Sequence, residues 1–134
     1  MQSLARTLSL CFAAGAIGAL ANSFAAWEAG RSGVTAALGV SLVPAWTLAW
    51  LYPRLVWGGI WGLLFALPLS IPGWAVRGLA LSLAPALAQL FIFFPRAGKG
   101  VLGLELGALT PVFVLVFDAI WGLAASAWLR WTGR

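Results

Sequence analysis

The sequence contains no histidine, a single cysteine and only three acidic residues, Glu28, Glu105 and Asp118. Without histidine the chain loses the commonest general base and the usual protein ligand for haem or catalytic zinc. The lone Cys11 excludes a disulfide within one chain and a cysteine metal cluster. Neither a Gly-x-Ser-x-Gly nucleophile motif nor a phosphate loop ending in Gly-Lys-Ser/Thr is present. The stretch Arg96-Ala-Gly-Lys99-Gly superficially suggests such a loop, but it lacks the preceding strand and the following Ser or Thr. Glu105 and Asp118 are thirteen residues apart. That is about 20 Å along a continuous helix, too far for an acid/base pair. These absences predict a protein that is not an enzyme and holds no metal or cofactor.

Charge is scarce as well. Charged residues are 8% of the chain, against about 25% in an ordinary soluble domain. So few charges cannot cover a globular surface in water. The chain is 63% hydrophobic with a mean hydropathy of +1.00, and its apolar runs are longer than core elements need. This composition predicts an integral membrane protein. Lipid leaves no partner for free backbone groups, so only helices or a closed barrel can cross it. The runs are continuous and rich in Leu and Ala, without the alternation of barrel strands. The expected fold is therefore an all-α bundle forming one transmembrane domain over residues 1–134, in a bacterial inner (cytoplasmic) membrane.

The net charge of +5 and isoelectric point of 11.3 would suggest nucleic acid in a soluble protein. Here Arg6, Arg31, Arg54, Arg77, Arg96, Lys99, Arg130 and Arg134 are scattered singly. That is the spacing of helix ends facing lipid headgroups, not of a nucleic-acid surface. Membrane lipids are the expected partners.

The N-terminal stretch resembles a signal peptide, with Arg6 before an apolar segment and Ala19-Leu20-Ala21 as a possible cleavage site. We take it instead as a retained first span over residues 4–27. Within it Ala14, Gly18, Asn22 and Ala26 recur at four-residue spacing, a small-residue seam that permits close helix approach. Asn22 on that seam is expected to bond across to another helix. Further apolar runs cover Val34 to Leu51, Leu55 to Ile71 and Leu79 to Phe94. They are separated at Tyr52-Pro53-Arg54, Pro72-Gly73-Trp74 and Pro95 to Gly100, all with turn or interface chemistry. Gly58 and Gly62 extend the packing seams. Gly100 to Trp131 is about 46 Å long as a helix, too long for one span. Thr110-Pro111 marks a break, Gly103 and Gly107 form the packing face of a short entering segment, and the last span covers about residues 111–130.

An internal correspondence runs through the middle. Ser41-Leu-Val-Pro44-Ala45 matches Ser82-Leu-Ala-Pro85-Ala86, and Pro53-Arg54 matches Pro95-Arg96, at an offset of about 42 residues. It suggests a duplicated two-helix hairpin over residues 34–71 and 79–118. Four or five spans are expected, depending on whether residues 34–51 cross or re-enter. Either count puts four basic residues on each side, so the positive-inside rule gives no orientation. Of the nine tryptophans, Trp27, Trp50, Trp74, Trp128 and Trp131 fit an interfacial belt. The pairs Trp46/Trp50 and Trp57/Trp61 each share a helix face.

Asp118 lies deep in the last apolar run. A carboxylate near mid-membrane costs about 2.5–3.5 kcal/mol on insertion scales, so it demands a partner or water. Its candidate partners are Asn22, Gln89, an arginine at a neighbouring span's end, or its counterpart in another protomer; Ser41 and Ser82, which can bond the carbonyls freed by the nearby prolines, complete the candidate polar site. Two functional expectations follow. The first is a protein acting by helix packing, as a homo-oligomer or as an accessory subunit of a membrane complex. The second is a small channel or transporter using Asp118 as an intramembrane ion or proton site.

Overall fold

The computed structural model describes residues 3–133, and these form helices and turns with no strand among them. The chain runs through α1 (Leu4–Arg31), α2 (Val34–Ala37), α3 (Leu48–Gly62), α4 (Trp74–Ala88), α5 (Phe94–Arg96) and α6 (Thr110–Trp131). A 3-10 turn, Leu63–Ala66, continues α3. A π turn, Gln89–Phe93, joins α4 to α5. Three helical stretches are long and apolar enough to cross a membrane: Leu4–Arg31, Trp74–Arg96 and Thr110–Trp131.

Local chemistry sets the helix ends. Ser3 caps α1 by accepting from the Arg6 amide at 3.1 Å, and Thr47 caps α3 by accepting from the Trp50 amide at 3.2 Å. Pro111 lies in the first turn of α6, where its missing N–H costs nothing. Pro95 closes the π turn; its ring crowds the carbonyl four residues back, and the widened turn relieves that crowding.

The packing is decided by missing side chains. α3 runs antiparallel to α1, because Arg54 lies level with Asn22 and Ser23, Gly58 with Ala19, and Gly62 with Cys11 and Gly15. A Cβ on Gly62 would sit 2.5 Å from the Cys11 carbonyl oxygen. On the other side of the bundle Gly78 of α4 and Gly122 of α6 meet backbone to backbone. Gly18 receives Trp121, whose indole Nε1 donates to the Gly15 carbonyl at 3.0 Å. Cys11, Ala14, Phe65, Leu81, Trp121 and Ala125 form the central core around these contacts. The order of packed neighbours is α3, α1, α6, α4; α3 and α4 do not pack closely on each other, so the bundle is open along that side.

Several sequence expectations need correction here. The apolar run from Val34 to Leu51 is not one helix: α2 ends at Ala37, Gly39 takes a left-handed φ of 75°, and residues 40–47 have no regular secondary structure. Thr35 Oγ1 donating to the Leu42 carbonyl at 2.8 Å and the Ser41 amide donating to the Leu106 carbonyl at 2.8 Å hold this segment. Tyr52-Pro53-Arg54 does not end a helix but lies inside α3, which starts earlier, at Leu48. Ser41 and Pro44 lie in irregular chain whereas Ser82 and Pro85 sit within α4, so these two matching stretches do not share a structure. Residues 100–109 are turns with a 3-10 segment at Val101–Gly103, and Glu105 is exposed there beside the Lys99 backbone. Gly103 packs on Phe94, and Gly107 meets the Gly39 carbonyl. Arg134 lies outside the described residues.

Candidate functional site

One polar cluster sits inside the apolar bundle, and α1, α3 and α6 build it. α1 contributes Asn22 and Ser23, both buried, from its small-residue seam. α6 contributes Asp118, two turns past Pro111. α3 contributes Arg54, because its antiparallel course along α1 brings that residue to the depth of Asn22.

Asn22 is the hub. Its Nδ2 donates to the Phe117 carbonyl at 2.8 Å and reaches Asp118 Oδ1 at 3.4 Å. Its Oδ1 accepts from an Arg54 guanidinium nitrogen. Arg54 Nε donates to Ser23 Oγ at 2.8 Å, and the guanidinium lies 4.6 Å from the centre of the Trp50 ring. Arg54 and Asp118 make no direct ion pair; the one ion pair among the described residues is Arg31–Glu28 at 2.6 Å, at the end of α1. The two half-buried charges are therefore linked through one amide rather than joined. That arrangement leaves part of each free to face open space.

The open space is there. A cleft of about 280 Å³ lies where α3 and α4 fail to pack, walled by Trp57, Trp61, Pro85, Phe93 and Trp121. A second cleft, of about 400 Å³, lies toward the irregular 40–47 segment, walled by Ser41 to Pro44, Trp50, Phe94, Val114 and Phe117. Asn22, Arg54, Gln89 and Asp118 line both. The polar cluster is thus the shared wall between two hollows whose other walls include several aromatic rings. Gln89 opens the π turn within the Trp74–Arg96 stretch, and π turns recur at functional sites.

The sequence-expected residues divide clearly. Asp118, Asn22 and Gln89 come together, and Ser41 reaches the rim of the second cleft. Ser82 does not: its Oγ donates to the Leu79 carbonyl at 2.6 Å and its Cβ packs toward Gly122, away from both clefts. Arg54 was expected at a membrane interface and is instead a member of the cluster. Trp121 and Ser23 themselves carry no marker of this role in the sequence. The only sequence signal for Arg54 was the need of Asp118 for a cation, and for Ser23 its place beside Asn22. No group of His, Cys, Asp and Glu among the described residues could hold a metal ion.

No protein-family model, no curated protein and no solved structure matches this chain. The function must be read from the cluster itself.

Proposed function

We propose that this chain is a small membrane-embedded channel or transporter that takes small uncharged or zwitterionic polar solutes at the Arg54–Asn22–Asp118 cluster. The observation that carries this reading is that one cluster of opposite charges lines two clefts at once. A purely structural hydrogen-bonded network would be expected to be closed by dry packing. Burying a guanidinium and a carboxylate in lipid without a direct pair is costly, and such groups characteristically mark solute pathways.

Arg54 also shapes the choice of cargo. A cation or proton relay at Asp118 would have to work beside a fixed guanidinium. A solute presenting a donor to Asp118 and an acceptor to Arg54, with Gln89 alongside, meets complementary groups. Aromatic walls with a few convergent polar atoms are the usual make-up of small-molecule sites. In this reading the chain makes four antiparallel passes of a bacterial cytoplasmic membrane. α3 with its 3-10 turn serves as the second pass, and residues 34–47 fold back at one end.

The second reading is a packing subunit, and the unpacked flank between α3 and α4 favours it, since a second copy or another subunit could close it. Against it, Gly18, Gly58 and Gly62, the seam residues that suggest oligomerisation in the sequence, are spent on contacts inside the chain.

The test is swelling of proteoliposomes in iso-osmotic glycine, urea or glycerol, compared with protein-free vesicles. Wild type should swell faster with at least one of these solutes, and Asp118→Asn and Arg54→Gln should abolish the difference. Rates equal to empty vesicles for all three solutes count against transport. Unaltered rates in both variants count against this site.

A further inference from the structure

A separate cavity of about 300 Å³ lies at the opposite end of the bundle, near the start of α4 and the end of α6. Arg77 and Arg130 both line it, and no carboxylate does. Its other walls include Trp74, Ser126 and Leu129. Arg77 is fixed in place: it donates to the Phe65 carbonyl at 2.5 Å and to the Leu67 carbonyl at 3.4 Å, closing the chain end of the 3-10 turn. Its guanidinium lies 5.8 Å from the Phe65 ring centre. Even so, its Nε is buried with no hydrogen-bond partner. The Arg130 side chain makes no hydrogen bond or ion pair among the described residues and the residue is exposed, so no structural task accounts for its guanidinium. The amides of the first turn of α4 add to the positive field, since Gly73 supplies no side-chain cap.

Two guanidinium groups on one small cavity without a counter-charge repel one another and attract an anion. Guanidinium groups favour phosphoryl oxygens, which they can bond in pairs. The cavity sits at the ends of membrane-length helices, the level at which lipid phosphates lie.

From these observations we infer that Arg77 and Arg130 form a binding site for a phosphate group, supplied by the headgroup of an anionic phospholipid of the membrane. This site is distinct from the Arg54–Asn22–Asp118 cluster and does not depend on the transport reading.

The experiment uses the full chain purified in a neutral detergent, with thermal unfolding as the readout. Short-chain phosphatidylglycerol, short-chain phosphatidylcholine and inorganic phosphate are titrated separately. Phosphatidylglycerol should raise the midpoint in a saturable way, at a half-saturating concentration at least ten-fold below that of phosphatidylcholine. Arg130→Gln should raise the phosphatidylglycerol concentration needed at least ten-fold without lowering the midpoint of the lipid-free protein. Arg130 is the residue to change, because Arg77→Gln also removes the clamp on Phe65 and could unfold the chain. An equal shift with inorganic phosphate, also lost in Arg130→Gln, keeps the phosphate site and assigns it to soluble phosphate. Equal response to the two lipids, or an unchanged response in Arg130→Gln, overturns the inference.

Discussion

Arg54 and Asp118 are linked through a single amide, that of Asn22, which accepts from the guanidinium and reaches the carboxylate at 3.4 Å. In so apolar a chain this makes each charge depend on the other two groups. Removing one charge leaves its opposite uncompensated, which is more damaging than removing both. Arg54→Gln and Asp118→Asn should each destabilise the protein by about 1–3 kcal/mol, and the double variant should lose less than the sum of the two. Reversible unfolding in mixed micelles across the double-mutant cycle measures the coupling. Strict additivity would show that the two charges do not sense one another.

The course of the backbone between the ends makes a second prediction. In four passes, Ser32 and Lys99 lie at one end of the bundle, and Ser70 and Thr132 at the other. All four are exposed, and the native Cys11 is fully buried. In a Cys11→Ser background, cysteines placed at Ser32 and Lys99 should react with an impermeant maleimide from the same face of intact vesicles. Cysteines at Ser70 and Thr132 should react only from the other face. Five passes would put Ser32 and Lys99 on opposite faces, so this pair alone decides the count.

How far the sequence could lead is visible in particular residues. The helical membrane class followed from charge scarcity and from runs without alternation, and Asp118 and Asn22 stood out because polar groups are costly there. Arg54 did not stand out, because Tyr52-Pro53-Arg54 carries every local sign of a helix boundary. Proline chemistry is local, whereas the placing of Arg54 is set by the Gly58 and Gly62 contacts with α1, a tertiary matter. Residues 40–47 misled for the complementary reason: their hydropathy suits a helix, yet the Leu42 carbonyl goes to Thr35 and the Ser41 amide to Leu106. Hydropathy reports burial in lipid and is silent on where backbone bonds go.

The Gly78–Gly122 crossing should tolerate no side chain. A Cβ on Gly122 would lie 3.0 Å from the Ser82 Cβ and closer still to the Gly78 backbone. The helices would have to separate, so Gly122→Ala should cost about 1–3 kcal/mol. Leu83→Ala on the same α4, half exposed on the outside of the bundle, should change stability by no more than about 0.5 kcal/mol. Comparing the two variants by unfolding in micelles separates a packing effect from general intolerance of α4 and α6. Equal losses would mean that this crossing is not a close contact.

Trp121 tests whether the site is held by the core or merely adjoins it. Its ring is buried, lies 5.9 Å from the Phe65 ring centre and lines the smaller cleft, while its Nε1 donates to the Gly15 carbonyl. Asp118 sits three residues before it on α6, so the indole fixes the rotation of α6 at the depth of the cluster. Trp121→Phe keeps an aromatic ring but loses the bond, which in a membrane interior is worth about 0.6–2 kcal/mol. The loss in unfolding free energy should fall in that range. If α6 orientation depends on this bond, solute-driven swelling should fall as well, even though Arg54, Asn22 and Asp118 are all retained. A stability loss with full swelling would show that the cluster holds its geometry through Asn22 alone.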